Sequence, residues 1–178
     1  MKISILLPYK ENFSPNYAGA VSLFVNDITK ISKYKSNIYI YGSTTFSKKF
    51  PLKYHNLTLK NKFTTSQSKS YIEEFVKEEK LRNSELIEIH NRPTYLSYLI
   101  KENISSKFIL YFHNDPLTMR GSKTKSERIF LIKNCSKIVF NSQWSKKRFL
   151  NNIQSRFYNS EKLVIIYQSA SKQKINFS

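Results

Sequence analysis

Cysteine occurs once, tryptophan once, glycine three times and proline five times in 178 residues, and each scarcity removes a class of protein. A lone Cys135 rules out an internal disulfide; it fits a reducing compartment and packs rather than reacts. So little Gly and Pro, with 40% hydrophobic and 15% aromatic residues, excludes a mainly disordered chain and leaves enough apolar material for a real core. No apolar run approaches the ~20 residues of a spanning helix. The run at residues 3–7 is too short for a secretory signal. The expectation is a single-domain cytoplasmic protein. Acidic residues are scarce too: 12 Asp and Glu against 30 Lys and Arg leave a formal charge of +18. That field favours nucleic acid, anionic lipid headgroups or phosphorylated substrates. Lys, Asn, Ile, Tyr and Ser are abundant together, as a coding bias would produce, so the charge speaks to partners and not to fold.

What is present is a regular alternation. The most informative stretch is Phe108-Ile109-Leu110-Tyr111-Phe112, followed abruptly by His113-Asn114-Asp115-Pro116. A continuous β-prone run suits a strand covered on both faces of a parallel sheet. Similar runs at 3–7, 38–41, 86–90, 137–140 and 163–167 read as strands, and 54–59 as another. Helical spacing marks Val21, Phe24, Val25, Ile28 and Ile31 as one buried face. Ser70 and Glu73 read as a capping box opening a helix, with Tyr71, Ile72, Phe75, Val76 and Leu81 inward. Its Glu73, Glu74, Glu78 and Glu79 read as a solvated face. Pro93 suits a helix start that Asn91 would cap. Further helices are expected at about 125–134, with Ile129, Phe130 and Ile132 inward, and after Asn141-Ser142, where Trp144, Lys146, Lys147 and Arg148 face solvent or an anionic membrane. The segments at 43–65 and 171–178 read as loop and tail. The class is α/β: a doubly wound, mainly parallel, Rossmann-like sheet.

In such sheets ligands bind beyond the carboxyl ends of the strands. Four strand ends converge there: the loop from Pro8 to Gly19, then His90-Asn91-Arg92, then His113-Asn114-Asp115, then Asn141-Ser142. Gly19 sits at a strand-to-helix junction, where backbone approaches a ligand closely and free N–H groups hold phosphate; a plain turn is the alternative. Arg92 and Arg120 are candidates for gripping an anion, or for surface ion pairs. Glu88-x-His90 and His113-x-Asp115 have the spacing of paired metal ligands, but no dense Cys/His cluster accompanies them, and no metal is expected.

Four pieces carry a family resemblance: residues 1–8 with Gly19; Ile89-His90-Asn91-Arg92-Pro93; Phe112 to Pro116 with Met119-Arg120-Gly121; and residues 135–142. In this order they resemble the N-terminal half of the family-four glycosyltransferases, the retaining, two-domain GT-B type, closest in flavour to enzymes of lipopolysaccharide and surface-glycan synthesis. The resemblance implies transfer of a sugar from a nucleotide-sugar donor to a glycan or glycolipid acceptor, with no further cofactor. It implies that His113 points at the transferred sugar as the catalytic residue. It places Gly19, with Ala20 beside it, at the donor phosphates; His90, Asn91, Arg92, Asn114, Asp115, Arg120 and Ser142, from the converging strand ends and the loop after them, are expected to bind the substrates. Residues 1–170 would be an acceptor-binding lobe and 171–178 a tail or linker toward a donor-binding domain that the sequence lacks. The chain alone is then expected not to turn over, and a peripheral contact with the inner face of a membrane is expected. Two departures stand out: Ala20 replaces a second glycine, and Tyr167-Gln168-Ser169-Ala170 stands where an Asn-Gly turn is usual. A non-catalytic subunit paired with a separate donor-binding chain, or a basic nucleic-acid-binding domain, are the alternatives.

Overall fold

A computed structural model describes residues 1–59 and 66–168. Its seven strands are β1 (Ile3–Leu6), β2 (Ile38–Gly42), β3 (Tyr54–Asn56), β4 (Leu86–His90), β5 (Lys107–Phe112), β6 (Lys137–Phe140) and β7 (Leu163–Ile165). They form one sheet in the order β3-β2-β1-β4-β5-β6-β7, and every pairing is parallel. The helices are α1 (Ala20–Ile31), α2 (Gln67–Arg82), α3 (Pro93–Lys101), α4 (Lys125–Asn134) and α5 (Gln143–Phe149). This is the expected doubly wound α/β architecture. Strand order reverses between β1 and β4, the switch point at which open sheets place ligands.

The central strands are mostly apolar because both faces are covered. Ile3, Ile5 and Leu7 pack with Val21, Val25 and Phe13 on one side. Leu6, Ile87, Ile89, Leu110 and Phe112 join α2, α3 and α4 on the other. Each such buried Phe or Ile contributes about 1.5–3 kcal/mol. The alternation of side chains has a second consequence. Glu88 and His90 of β4, and Tyr111 and His113 at the end of β5, fall on the face opposite Ile87, Ile89 and Leu110. That is the face α1 covers: Phe24 lies 6.3 Å from the ring of His90, 6.0 Å from Tyr111 and 5.2 Å from His113.

Several local expectations are corrected. α1 buries Val21, Ser22, Val25, Asn26 and Thr29, while Ile31 is 87% exposed. The helix is rotated so that a polar stripe turns inward, over the face holding Glu88 and His90. α2 begins earlier than Ser70: Ser66 is its N-cap and accepts from the Lys69 N–H, and Ser70 is buried. Leu81 is exposed, and Glu79 is not on a solvated face; it is buried, with Oε2 accepting from Ser4 Oγ at 2.5 Å and Oε1 from the Ser84 N–H at 2.6 Å. Asn91 does not cap α3. It adopts a left-handed backbone (φ 51°), and Arg92 is the N-cap residue without a side-chain bond. In α4, Arg128, Leu131 and Ile132 are buried and Phe130 is exposed. The strands expected at 54–59 and 163–167 are shorter. Residues 60–65 of the expected loop, Ser169, Ala170, the boundary at 170 and the tail lie outside the described residues.

Candidate functional site

The site is built around the peptide of His113. β5 ends at Phe112, and the ladder is continued past it by two asparagine side chains. Asn91, from the end of β4, accepts the His113 N–H on Oδ1 at 2.8 Å. Asn141, from the end of β6, donates Nδ2–H to the His113 carbonyl at 2.7 Å. The left-handed turn at Asn91 aims its amide sideways, and asparagine tolerates that conformation better than most residues. The imidazole is thereby fixed at the carboxyl rim beside the strand-order reversal.

Behind it runs a line of titratable groups, His90 fully buried and Glu88 mostly so. His113 Nε2 lies 2.9 Å from His90 Nδ1, and His90 Nε2 lies 3.7 Å from Glu88 Oε2. On the outer side, the Gln168 amide nitrogen bonds His113 Nδ1. With Gln168 donating as assigned, Nδ1 accepts, so His113 carries its proton on Nε2 and gives it to His90 Nδ1. His90 is then protonated on Nε2, facing Glu88. Burial pushes the Glu88 carboxyl up to about 7. Burial holds His90 down at about 3, and burial with the neighbouring His90 holds His113 there too. The Glu88–His90 contact is therefore not an ion pair near neutrality: desolvation favours the uncharged form of each. Glu88 Oε2, His90 Nε2, Ser22 Oγ, Asn26 Oδ1 and Thr29 Oγ1 are buried with no hydrogen-bond partner among the described residues. A neutral imidazole line of this kind can orient a hydroxyl at His113 and hold its tautomer.

At the start of α1, Gly19 is the N-cap with ordinary extended dihedrals and no side-chain cap. Its glycine is a matter of space: a Cβ would lie 2.1 Å from the Glu11 carboxylate. Glu11 Oε1 accepts the Ser22 N–H at 3.0 Å, so a carboxylate occupies the anion-binding end of this helix. Ala20 is exposed beside it.

The remaining expected residues divide. Ser142 is the N-cap of α5, accepting from the Ser145 N–H. Asp115 caps the turn at Leu117 and is gripped by Arg148 at 2.8 Å. Both serve the scaffold. Of the basic run on α5, Arg148 holds Asp115 and Lys146 donates to the Leu163 carbonyl at 2.7 Å, which leaves Trp144 and Lys147 outward. Asn114 is exposed. Asn91, Arg92 and Arg120 line a basin of about 730 Å³ between the starts of α2 and α3 and the loop after β5. Gly121 closes that loop onto α3. Its φ is +92°, and a Cβ would meet the Thr94 backbone nitrogen at 2.9 Å. Among the described residues no group of three or more His, Cys, Asp or Glu is placed to hold a metal ion.

No family model matches the chain, and no curated protein matches it. Solved structures do. HepE of Anabaena in complex with UDP-glucose superposes with a TM-score of 0.62 at 16% identity, over 94% of this chain and 43% of that one. Sucrose-phosphate synthase of Thermosynechococcus elongatus gives 0.61 at 8% identity, over 95% and 90%. A glycosyltransferase of Rickettsia africae gives 0.56 at 16%, over 94% and 42%. The fold is that of a glycosyltransferase lobe. The chain spans less than half the length of HepE and of the Rickettsia protein.

Sequence reasoning did not place Glu11 or Gln168 at the site, marked Phe24 only as part of a buried helix face, and weighed Glu88 only as a metal partner of His90. Glu88 had a signal: its two-residue spacing from His90 puts both on one strand face, which reads equally as a metal pair. Glu11 and Gln168 had none, since both reach the site through loop conformation. No helix among the described residues is long and apolar enough to cross a membrane.

Proposed function

We propose that the chain is the acceptor-binding lobe, residues 1–170, of a retaining glycosyltransferase that moves a sugar from a nucleotide-sugar donor to a glycan or glycolipid acceptor in cell-envelope polysaccharide synthesis. The observation that carries the reading is the immobilised, neutral His113 imidazole at the carboxyl rim, in a fold shared with a UDP-glucose-binding protein. Its Nδ1, where Gln168 now donates, accepts a hydrogen bond from a hydroxyl of the transferred sugar. The acceptor oxygen bonds to the anomeric carbon as the bond from that carbon to the diphosphate breaks, and the acceptor's proton leaves with the diphosphate. Donor phosphates approach Gly19 and Ala20, where they take the Ser22 N–H from Glu11. The donor nucleotide is held mainly by a second domain or separate subunit, reached through residues 171–178. The lobe works in the cytoplasm, peripherally at the membrane's inner face, with Trp144 and Lys147 outward.

The test pairs binding with turnover. Nucleotide-sugar binding is measured calorimetrically for the wild type, His113→Ala and His55→Ala. His113→Ala should weaken it by about tenfold, the loss of one buried hydrogen bond, and His55→Ala, on β3, should leave it unchanged. Equal binding by all three proteins contradicts the site. The 178-residue chain assayed alone should not transfer sugar; robust turnover contradicts its role as half of an enzyme.

A further inference from the structure

The basin beside the imidazole line has a one-sided chemistry. Lys69 of α2, Arg92 at the start of α3 and Arg120 in the loop after β5 all line it, together with hydroxyls of Ser68, Thr94 and Tyr98, and among the described residues no carboxylate lines it. In a chain with 12 acidic residues against 30 basic ones, that alone is weak; the pairing of each cation decides. Arg92 donates one N–H to the Asn91 carbonyl at 2.9 Å and lies beside the Tyr95 hydroxyl, with no carboxylate paired to it among the described residues. Among the described residues Lys69 pairs with Glu73, at 3.9 Å on its own helix, with 59% of its side chain exposed. Arg120 is exposed. α3 also starts without a side-chain cap, with Pro93 at its first turn, so the positive end of its dipole opens into the basin. Gly121 holds this geometry, because its positive φ and its contact with the Thr94 nitrogen press the Arg120 loop against the start of α3.

Building on the reading of the chain as an acceptor lobe, we infer that this basin takes a phosphate-bearing acceptor, its phosphate held by Arg92, Arg120 and Lys69. Three cations match a dianionic phosphate monoester better than a monoanionic carboxylate, and the guanidinium fork suits phosphate oxygens. A volume of about 730 Å³ is within the range that holds a whole small ligand, so a phosphate with its attached sugar or glycerol fits. The phosphate is supplied by a soluble phosphorylated sugar or by a lipid headgroup; the recognising chemistry is the same.

The experiment is an amide NMR titration of the ¹⁵N-labelled 178-residue chain with four probes: inorganic phosphate, glucose 6-phosphate, glucuronate, and vesicles containing phosphatidic acid. The expected result is saturable shifts at Arg92, Thr94 and Arg120 with phosphate and glucose 6-phosphate, and weaker ones with glucuronate. Arg120→Gln and Lys69→Gln, both surface changes that leave the fold intact, should each weaken binding by about tenfold. Stronger binding of vesicles than of glucose 6-phosphate, abolished by the same substitutions, assigns the phosphate to a lipid; the reverse assigns it to a soluble sugar. Glucuronate binding as tightly as glucose 6-phosphate overturns the choice of phosphate. Absence of shifts in the basin, or binding insensitive to both substitutions, overturns the site. Nucleotide-sugar binding at His113 is read separately, so a silent basin with a responsive His113 sinks this inference and leaves the glycosyltransferase reading standing, and the converse sinks that reading alone.

Discussion

Replacing Glu88 by Gln should make the protein more stable in alkali and not in acid. Glu88 is mostly buried, with 14% of its side chain exposed, on the sheet face that α1 covers, and desolvation raises its carboxyl from an ordinary 4.5 to about 7. In the unfolded chain it ionises near 4.5. From there up to about 7 the folded state holds a proton that the unfolded state has lost, so stability falls as pH rises. The accumulated loss is about 3 kcal/mol. His90 and His113 act in the opposite sense. Their folded values are held down at about 3, so each contributes stability above the unfolded value near 6.5 that is lost at about 1.4 kcal/mol per pH unit as acid is added. Between pH 4.5 and 6.5 the two imidazoles outweigh the carboxyl and stability rises with pH; just above 6.5 only the carboxyl acts and stability turns down. Glu88→Gln, nearly the same shape and neutral throughout, removes only the carboxyl's share. Urea denaturation of both proteins from pH 4 to 9 measures it. The mutant's stability relative to wild type should improve by about 3 kcal/mol across that range. A difference that stays flat with pH would refute the reasoning, because Glu88 would then be solvated; a mutant that loses ground as pH rises would refute it too, because Glu88 would then be ion-paired with His90.

Two structural predictions accompany it. Gly121→Ala forces a side chain into a left-handed backbone and against the Thr94 nitrogen. It should cost about 2–4 kcal/mol and lower the melting temperature by several degrees, read by calorimetry. Glu79→Ala removes the acceptor of the buried Ser84 N–H and one of the two partners of Ser4 Oγ, which keeps Ser84 Oγ at 2.8 Å. It should cost about 3 kcal/mol in a denaturant titration, where a truly solvated glutamate would cost under 0.5.

The sheet was legible because its strands are covered on both faces, and continuous runs such as Phe108 to Phe112 have no other simple use in a soluble chain. Strand ends were legible for the same reason: polarity returns abruptly at His90 and His113. The face of α1 was not. Its apolar spacing favours Val21, Phe24, Ile28 and Ile31, yet the helix lies over the sheet face that carries Glu88 and His90, and there Ser22, Asn26 and Thr29 turn inward. Periodicity within one helix does not contain the polarity of the surface it meets. The cap of α2 was misplaced because Ser66 and Ser70 are both good cap residues, and the choice depends on where the chain leaves the preceding loop. At the site, His90, Asn91 and His113 come together because they end neighbouring parallel strands. Asp115 and Ser142 share that rim yet serve internal bonds, a distinction made only by Arg148 and by the start of α5.

Only three histidines occur in the chain, so the imidazole nitrogens of His113 can be followed individually by ¹⁵N NMR during titration with a panel of nucleotide sugars. The account predicts a neutral His113 protonated on Nε2, whose Nδ1 resonance and the Ala20 amide both move on adding the donor that fits. A His113 that titrates like a solvated imidazole near 6.5, or that stays unmoved by every nucleotide sugar at millimolar concentration, would contradict it.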